Sequence, residues 1–221
     1  MKYIPFPGAF KNLSEYNEGD FPEGGVPGIN TATRSMMDNL KRDIRQRLSD
    51  SPPRILAKNY TAEAAVLISI FQREEEPCFL LTQRSQEVTT HKGQISFPGG
   101  VREQRDSNLC ETALRETEEE LGITADWVEI LGQFDEYRSK TNLLVTPFVG
   151  FLKEGFTASP HPREVERILE VPLDFFSQAT PREEVRQRHG RQVTLYFYDY
   201  ESDVVWGLTA AIIRDLMKLL R

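Results

Sequence analysis

Cysteine and histidine are scarce in this sequence of 221 residues, which has two cysteines and three histidines. Cys78 and Cys110 are too few for a disulfide framework or a zinc cluster, and the histidines are too dispersed to share a ligand. No apolar run reaches the roughly 18 residues that cross a bilayer. These absences exclude a disulfide-rich miniprotein and a helical membrane span, and they predict reduced thiols.

Positive charge is also in deficit, because 27 Lys and Arg residues face 34 Asp and Glu residues, for a formal net charge of −7. A net negative field repels polyanions, so we expect no nucleic acid and no membrane among the partners. The first residues, MKYIPFPGAF, lack the basic start and apolar stretch of a signal peptide. We therefore expect a cytoplasmic protein, and the sequence leaves a homodimer open.

The chain changes character near residue 55. Residues 1–30 are rich in proline and glycine and predict an irregular arm, followed by a helix to about Leu48 that either packs on the main domain or binds a partner. We expect an N-terminal arm and helix over 1–55 and a main domain over 56–221. Apolar runs and helical periodicity predict further elements: strands at 64–71, 78–81, 127–131, 143–152 and 193–198, and helices at 108–121, 172–176 and 207–220.

Because the predicted strands and helices are interspersed, the fold class is α/β (α+β mixed), with a mixed β-sheet sandwiched between helices. Arginines recur between residues 182 and 191. We interpret that stretch as a solvated loop, with a phosphate clamp as the alternative.

The most informative segment is the predicted helix at 108–121, which Ser107 or Asp106 can cap and Gly122 can end. Three carboxylates, those of Glu116, Glu119 and Glu120, fall within an arc of about 100° on one face, where like charges repel. Arg115 can pair with Glu119, but one arginine does not neutralise three carboxylates. A hard divalent cation such as Mg²⁺ or Mn²⁺ would do so. The alternative is a solvated charged face.

A glycine pair precedes this helix in Phe97-Pro98-Gly99-Gly100, which predicts a tight turn after a strand at 94–97. Two glycines let the backbone approach a ligand closely and can direct a carbonyl towards a metal. The turn, the acidic helix and its terminal glycine together favour a metal site over a solvated face.

At these residues the sequence resembles the Nudix hydrolase family. The family signature is a glycine, an acid after five residues, and then, after seven more, Arg-Glu, an apolar or small residue, any residue, Glu-Glu, any residue, Gly and an aliphatic residue. The second half is matched by Arg115, Glu116, Thr117, Glu119, Glu120, Gly122 and Ile123. In the first half Asp106 is the acid, and eight residues separate it from Arg115, an expansion usual in the coenzyme A pyrophosphatase subgroup.

Further positions resemble landmarks of that subgroup. They are Leu80, Leu81, Thr82, Arg84, Ser85, Gly93 and 97–100 upstream, and 145–147, 164–165, 171–173 and 205–210 downstream. One landmark departs from the pattern, because Thr89 stands where the subgroup has a second arginine. Lys92, three residues on, offers a replacement charge.

The resemblance implies a Nudix fold with an N-terminal helical extension, and a hydrolase that uses Mg²⁺ or Mn²⁺. Its implied reaction is cleavage of the diphosphate linkage of coenzyme A or acyl-CoA to 4′-phosphopantetheine and adenosine 3′,5′-bisphosphate. Two alternatives stay open: a Nudix pyrophosphatase for another nucleotide (a sugar nucleotide, ADP-ribose or a nucleoside triphosphate), or a Nudix-like module that senses a nucleotide without cleaving it.

The resemblance also implies roles for individual residues. Glu116 and Glu120 are expected metal ligands, joined by the carbonyl of Gly99, and Glu119 is a third ligand or a base. Arg115 is expected to orient a glutamate. Glu164 completes the metal site or activates water, unless it is a plain surface residue. Substrate-binding candidates are Arg84, Lys92 and Gly100, with a structural salt bridge as the alternative for Arg84.

Overall fold

The computed structural model describes residues 31–57, 59–87, 92–188 and 191–221. Residues 1–30, Thr89, His91 and His189 lie outside these ranges, and the interpretations made for them stay predictions. The described chain forms four α-helices, α1 (Thr31–Asp50), α2 (Leu109–Leu121), α3 (Leu173–Gln178) and α4 (Leu208–Leu219), and a 3-10 helix at Ala125–Trp127. None of these helices is both long and apolar enough to cross a membrane.

Eleven strands accompany the helices in the described ranges. They are β1 (Ala62–Arg73), β2 (Glu76–Arg84), β3 (Ile95–Ser96), β4 (Gly99–Val101), β5 (Val128–Gln133), β6 (Tyr137–Arg138), β7 (Leu143–Leu152), β8 (Val165–Pro172), β9 (Arg182–Arg188), β10 (Arg191–Tyr200) and β11 (Asp203–Trp206).

The larger sheet is built around β1 and has the order β3-β2-β1-β7-β5. Strands β1 and β7 run parallel, whereas β2 and β4 pair antiparallel with β1, so the sheet is mixed as predicted. Off this path, β8 pairs with β2 and β6 with β7. The central strands are nearly continuous runs of buried residues, which is the pattern of a sheet covered on both faces.

Two apolar clusters fill the space on either side of this sheet. Helix α2 covers one face through Ala113 and Leu121, which pack with Leu67 and Phe148 of the sheet. Helices α1, α3 and α4 cover the other face, where their apolar side chains join those of β1, β2 and β7. This arrangement confirms the predicted mixed sheet between helices.

Helix α1 belongs to the second of these clusters. Its Met37, Ile44 and Leu48 are buried, and a Cβ on Gly132 of β5 would come within 3.0 Å of the Leu48 side chain. Lys41 pairs with Glu129 of β5 at 3.0 Å. The prediction that this helix packs on the main domain is therefore confirmed, while the division of the chain at residue 55 stays a prediction.

The prediction of a solvated loop at residues 182–191 is wrong. Residues 182–188 form β9, which pairs with β10 in a smaller antiparallel sheet of order β11-β10-β9. On β10, Tyr198 is buried and Tyr196 and Tyr200 pack against the core, so one face of this sheet rests on the main body. Sequence patterning missed β9 because its residues are mostly polar and mostly exposed, so no alternation of buried apolar and exposed polar positions marks it as a strand.

Candidate functional site

Helix α2 carries most of the candidate residues, and both its ends are fixed locally. Asn108, rather than Ser107 or Asp106, caps its start by accepting a hydrogen bond from the Glu111 amide at 3.0 Å. Gly122 ends it in the left-handed conformation at φ 67°, as predicted. Beyond Gly122, the amides of Ser159 and His161 donate to the carbonyls of Leu121 and Glu120 at 2.7 and 2.8 Å. The loop at 159–164 is thus held against the end of α2.

Asp106 anchors the arginine of this helix. It is buried and accepts from Arg115 Nε at 2.9 Å, from Arg115 Nη2 at 3.1 Å and from Thr112 Oγ1 at 2.9 Å. The hydrogen bonds from Arg115 hold the pKa of the Asp106 carboxyl far below its usual range. Arg115 in turn reaches Glu116 Oε1 at 2.9 Å and Glu119 Oε2 at 2.9 Å. Asp106 therefore fixes the arginine that contacts both glutamates.

Replacing Asp106 by Asn should destabilise the fold by about 3 kcal/mol at neutral pH, because it leaves a mostly buried arginine without its main counter-charge. The folded-state pKa of Asp106 lies below its unfolded value, so its contribution is complete above about pH 4 and is lost as the pH falls further. Denaturant unfolding should therefore show the two proteins converging in strongly acidic buffer. The exposed Asp126→Asn is the control, and an equal loss there would contradict the prediction.

The two glycines begin strand β4 rather than only forming a turn, which corrects the sequence interpretation. Gly99 pairs with Val66 and Gly100 with Ala65 of β1. A Cβ on Gly100 would lie 2.5 Å from both carboxylate oxygens of Glu116. The Glu116 carboxylate thus occupies the space that a side chain at position 100 would take.

Replacing Gly100 by Ala should lower turnover by about 10²-fold, because the methyl group displaces the Glu116 carboxylate by roughly an ångström. The fold should survive, since the obstructed atoms are the end of a side chain and Gly100 does not have a positive φ. Steady-state kinetics and a melting curve measure the two effects separately. Unchanged turnover would show that the position of Glu116 is unimportant.

Glu120 is the most deeply buried acid of the site, with 3% of its side chain exposed. Burial raises the pKa of Glu120 to about 8, against the opposing effects of Arg84 and the Gly99 backbone. Its Oε1 lies 3.4 Å from Arg84 Nη1. Its Oε2 finds no hydrogen-bond partner in the described part of the chain, and neither does Arg84 Nε. A buried acceptor and a buried donor are thus both left for something else to satisfy.

Glu164 reaches the same place from another part of the chain. Its backbone carbonyl accepts a hydrogen bond from the amide of Ser85, the residue that follows Arg84, at 2.8 Å. Val165, the residue after Glu164, begins β8, which pairs with β2. The negative charge of Glu164 helps to raise the pKa values of both Glu116 and Glu120. Its side chain is 43% exposed, with His161 Nδ1 at 3.9 Å. The fold therefore brings Arg84, Glu164 and the acids of α2 together.

Lys92 stands at the edge of this group. It is exposed and precedes Gly93, whose amide donates to the Arg84 carbonyl at 3.0 Å. It thus lies in the connection from β2 to β3, next to the strand end that carries Arg84.

Glu119 is the most exposed of the three acids, and both of its carboxylate oxygens accept hydrogen bonds from arginines. One oxygen accepts from Arg105 at 2.6 Å and the other from Arg115 at 2.9 Å. The pairing with Arg115 was predicted, whereas the role of Arg105 had no signal beyond its place in the charged segment. With these contacts made, no group of three or more acid, cysteine or histidine side chains in the described ranges is poised around a metal ion.

The charges and burial of the site nevertheless suit a hard divalent cation. Glu116 and Glu120 are both largely buried, and desolvation raises both of their pKa values despite the neighbouring arginines, so further positive charge beside them would stabilise their ionised forms. The unpartnered Glu120 Oε2 is an oxygen of the kind that Mg²⁺ and Mn²⁺ prefer. The unpartnered Arg84 Nε is a donor suited to an anionic oxygen.

Comparison with known proteins places the chain in a family. The NUDIX domain model matches residues 61–196. A protein of Photorhabdus laumondii named uncharacterized Nudix hydrolase NudL is 42% identical over 166 residues, which are 75% of this chain and 88% of that protein. A protein of the same name from Yersinia enterocolitica is 44% identical over 155 residues, which are 69% of this chain and 78% of that protein. Nudix hydrolase 15, mitochondrial, of Arabidopsis thaliana is 36% identical over 174 residues, which are 75% of this chain and 60% of that protein. The chain belongs to the Nudix family of hydrolases.

Proposed function

We propose that this chain is a divalent-metal-dependent hydrolase that cleaves the diphosphate linkage of coenzyme A or an acyl-CoA. The products would be 4′-phosphopantetheine, or its acyl derivative, and adenosine 3′,5′-bisphosphate. The observation that carries the reaction class is the buried Glu120, whose second oxygen has no partner among the described residues, beside Glu116 and opposite Arg84. The coenzyme A preference rests on the subgroup landmarks around Arg84 and residues 97–100.

Nudix hydrolases generally depend on a divalent metal ion, and the donor set here fits one. Glu116 and Glu120 would hold it, with Glu119 and the carbonyl of Gly99 as further oxygen ligands. When bound, the ion would neutralise the diphosphate and make water easier to deprotonate. Both Glu119 oxygens already accept hydrogen bonds from arginines, whose positive charges compete with a metal ion, so Glu119 would be a weaker ligand than the other two acids.

The remaining residues would bind and orient the reactants. Arg84, whose side chain is 26% exposed, would donate from its guanidinium to a phosphate oxygen, and the exposed Lys92 in the following connection would add a second positive charge. The exposed Glu164 carboxylate would accept the proton of the attacking water. Because Gly100 has no side chain, the Glu116 carboxylate would keep its position beside the Gly100 backbone, and substrate could approach that backbone closely. Arg115 would orient Glu116 and contact no substrate.

A substrate panel tests this proposal. The purified chain would be given Mg²⁺ or Mn²⁺ with coenzyme A, acetyl-CoA, ADP-ribose, a sugar nucleotide and a nucleoside triphosphate, and the products identified by mass. We expect kcat/KM for coenzyme A or its acyl form to exceed that for the others by about tenfold or more, which is a difference of about 1.4 kcal/mol in transition-state binding.

The other outcomes are equally informative. Cleavage of ADP-ribose or a sugar nucleotide with coenzyme A left intact would refute the substrate and retain the reaction class. Binding of a nucleotide without any cleavage would identify a sensing module instead. Removal of the metal by a chelator should abolish turnover, and turnover that persisted would contradict the metal-dependent mechanism.

A further inference from the structure

A tight turn between β4 and α2 carries Arg105. The backbone amide of Asp106 donates to the Glu103 carbonyl at 3.1 Å, and the backbone amide of Glu103 donates to Asp106 Oδ2 at 2.9 Å, which closes residues 103–106 into a turn. Asp106 is itself buried and bound to Arg115. The backbone of Arg105 is therefore held in one place beside α2, whereas its side chain is 61% exposed.

The side chain of Arg105 joins two carboxylates. Its Nη2 lies 2.6 Å from Glu119 Oε1, and its Nε lies 2.9 Å from Glu103 Oε2. The other oxygen of Glu119 accepts from Arg115 Nη1 at 2.9 Å, and that nitrogen lies 3.9 Å from Glu103 Oε1. The four side chains thus form a closed ring of alternating charge that includes Glu119.

The two arginines that hold Glu119 differ in how firmly they are bound themselves. Arg115 is 13% exposed and has the buried Asp106 as its counter-charge. The ion pairs and hydrogen bonds of Arg105 within the described ranges are with Glu103 and Glu119 only. Because Arg105 can leave Glu119 and still keep Glu103, it loses one of two counter-charges when it moves. Arg105 is therefore the exchangeable partner of Glu119.

Glu119 is close to an acid that would hold the metal ion. Glu116 lies three residues before it on α2, and the negative charge of Glu119 helps to raise the pKa of Glu116. A divalent cation bound at Glu116 would attract the Glu119 carboxylate and repel the guanidinium of Arg105. The ion and Arg105 would thus compete for the same carboxylate.

We propose that Arg105 is a positioning residue that binds Glu119 while no metal ion is present, is displaced from it when a divalent ion binds, and so lowers the affinity of the site for that ion. In the metal-free chain it would also offset the repulsion among the acids of α2. The inference rests on the metal-dependent site proposed above and not on the identity of the substrate. Since the pair is exposed, the effect on the binding constant should be modest, about two- to fivefold.

Binding of Mn²⁺ to the substrate-free chain tests this competition, with the free ion measured by its electron paramagnetic resonance signal. Arg105→Gln removes the competing charge and should tighten Mn²⁺ binding by about two- to fivefold. Arg105→Lys keeps the charge and should bind Mn²⁺ as the parent chain does. Arg102→Gln is the matched control, because Arg102 is in the same connection but pairs with Glu63, at 2.9 Å, and it should leave the dissociation constant unchanged.

A double-mutant cycle with Glu119→Gln separates competition at Glu119 from a general effect of charge. In the Glu119→Gln background Arg105 has no carboxylate at that position to withhold from the metal. Arg105→Gln should therefore change the Mn²⁺ affinity less in that background than in the parent chain. Melting curves of the metal-free proteins establish that each variant is folded before its affinity is compared.

The possible results separate this inference from the proposed function. Unchanged or weaker Mn²⁺ binding by Arg105→Gln, equally tight binding by Arg105→Lys and Arg105→Gln, or an equal change in both backgrounds would overturn the role of Arg105 and leave the proposed function standing. A parent chain that binds no Mn²⁺ would overturn both. Mn²⁺ binding with the expected differences, but without cleavage of coenzyme A, would refute the proposed substrate and support the role of Arg105.

Discussion

Glu120→Gln is expected to lower kcat/KM for the diphosphate substrate by about 10³-fold or more, because it removes one of the two buried carboxylates that would hold the metal. The fold should not suffer. Glu120 is 3% exposed, and a neutral amide costs less to bury than a carboxylate. Without metal, the variant should therefore melt at the same temperature as the parent chain or higher. Loss of turnover together with retained stability separates a functional acid from a structural one.

Metal binding gives a second readout for Glu120→Gln. Titration with Mn²⁺ should raise the melting temperature of the parent chain, because a ligand that binds only the folded state stabilises it, and should raise that of the variant much less. The matched control is Glu118→Gln, an exposed glutamate on the far side of the same helix, which should leave both readouts unchanged. A Glu120→Gln protein with full turnover would remove Glu120 from the machinery, and with it the main support for the site.

Gly99→Ala is expected to cost more than about 4 kcal/mol of stability or to prevent folding, since changes of that size need a backbone or core disruption. A Cβ on Gly99 would overlap the backbone carbonyl of Ala65 and would lie 2.6 Å from the Cα of Val66. Neither backbone atom can move without separating β4 from β1. Gly99 also has a φ of 152°, where a side chain is strained.

Gly207→Ala is the matched control for this effect. Gly207 also has a positive φ, of 69°, but no atom lies within 4 Å of its Cβ position. Its replacement should therefore cost only the backbone strain, about 1–3 kcal/mol. Denaturant unfolding compares the two proteins. Equal losses would mean that φ strain alone governs Gly99, and that its close approach to β1 is unimportant.

The fold was predictable from sequence where burial leaves a pattern. The apolar runs of β1, β2, β5 and β7 and the helical periodicity of α1, α2 and α4 located those elements to within a few residues. Strands β8 and β9 were not predicted. In β8, exposed polar residues stand between the buried ones, and β9 consists mostly of exposed polar residues. Their strand conformation comes from backbone pairing with β2 and β10, which local composition does not record.

The candidate site was predictable only in part, for a related reason. Helical spacing showed that Glu116, Glu119 and Glu120 lie on one side of α2. It did not show that the three side chains would differ in burial. Glu120 is buried and pairs with Arg84, whereas Glu119 is partly exposed and accepts a hydrogen bond from Arg105. The buried position of Glu120 depends on β2 and on the loop at 159–164, which come from distant parts of the chain.

The sequence by itself determined the central strands β1, β2, β5 and β7 of the large sheet, the acidic helix and the family signature, because these depend on residues close together in the chain. Only the tertiary structure decided which acid is buried without a full set of partners in the described ranges, and which parts of the chain bring Arg84 and Glu164 beside it. Periodicity fixes the direction of a side chain around its own helix or strand. The dielectric environment and the hydrogen-bond partners that the side chain meets there depend on how the elements pack.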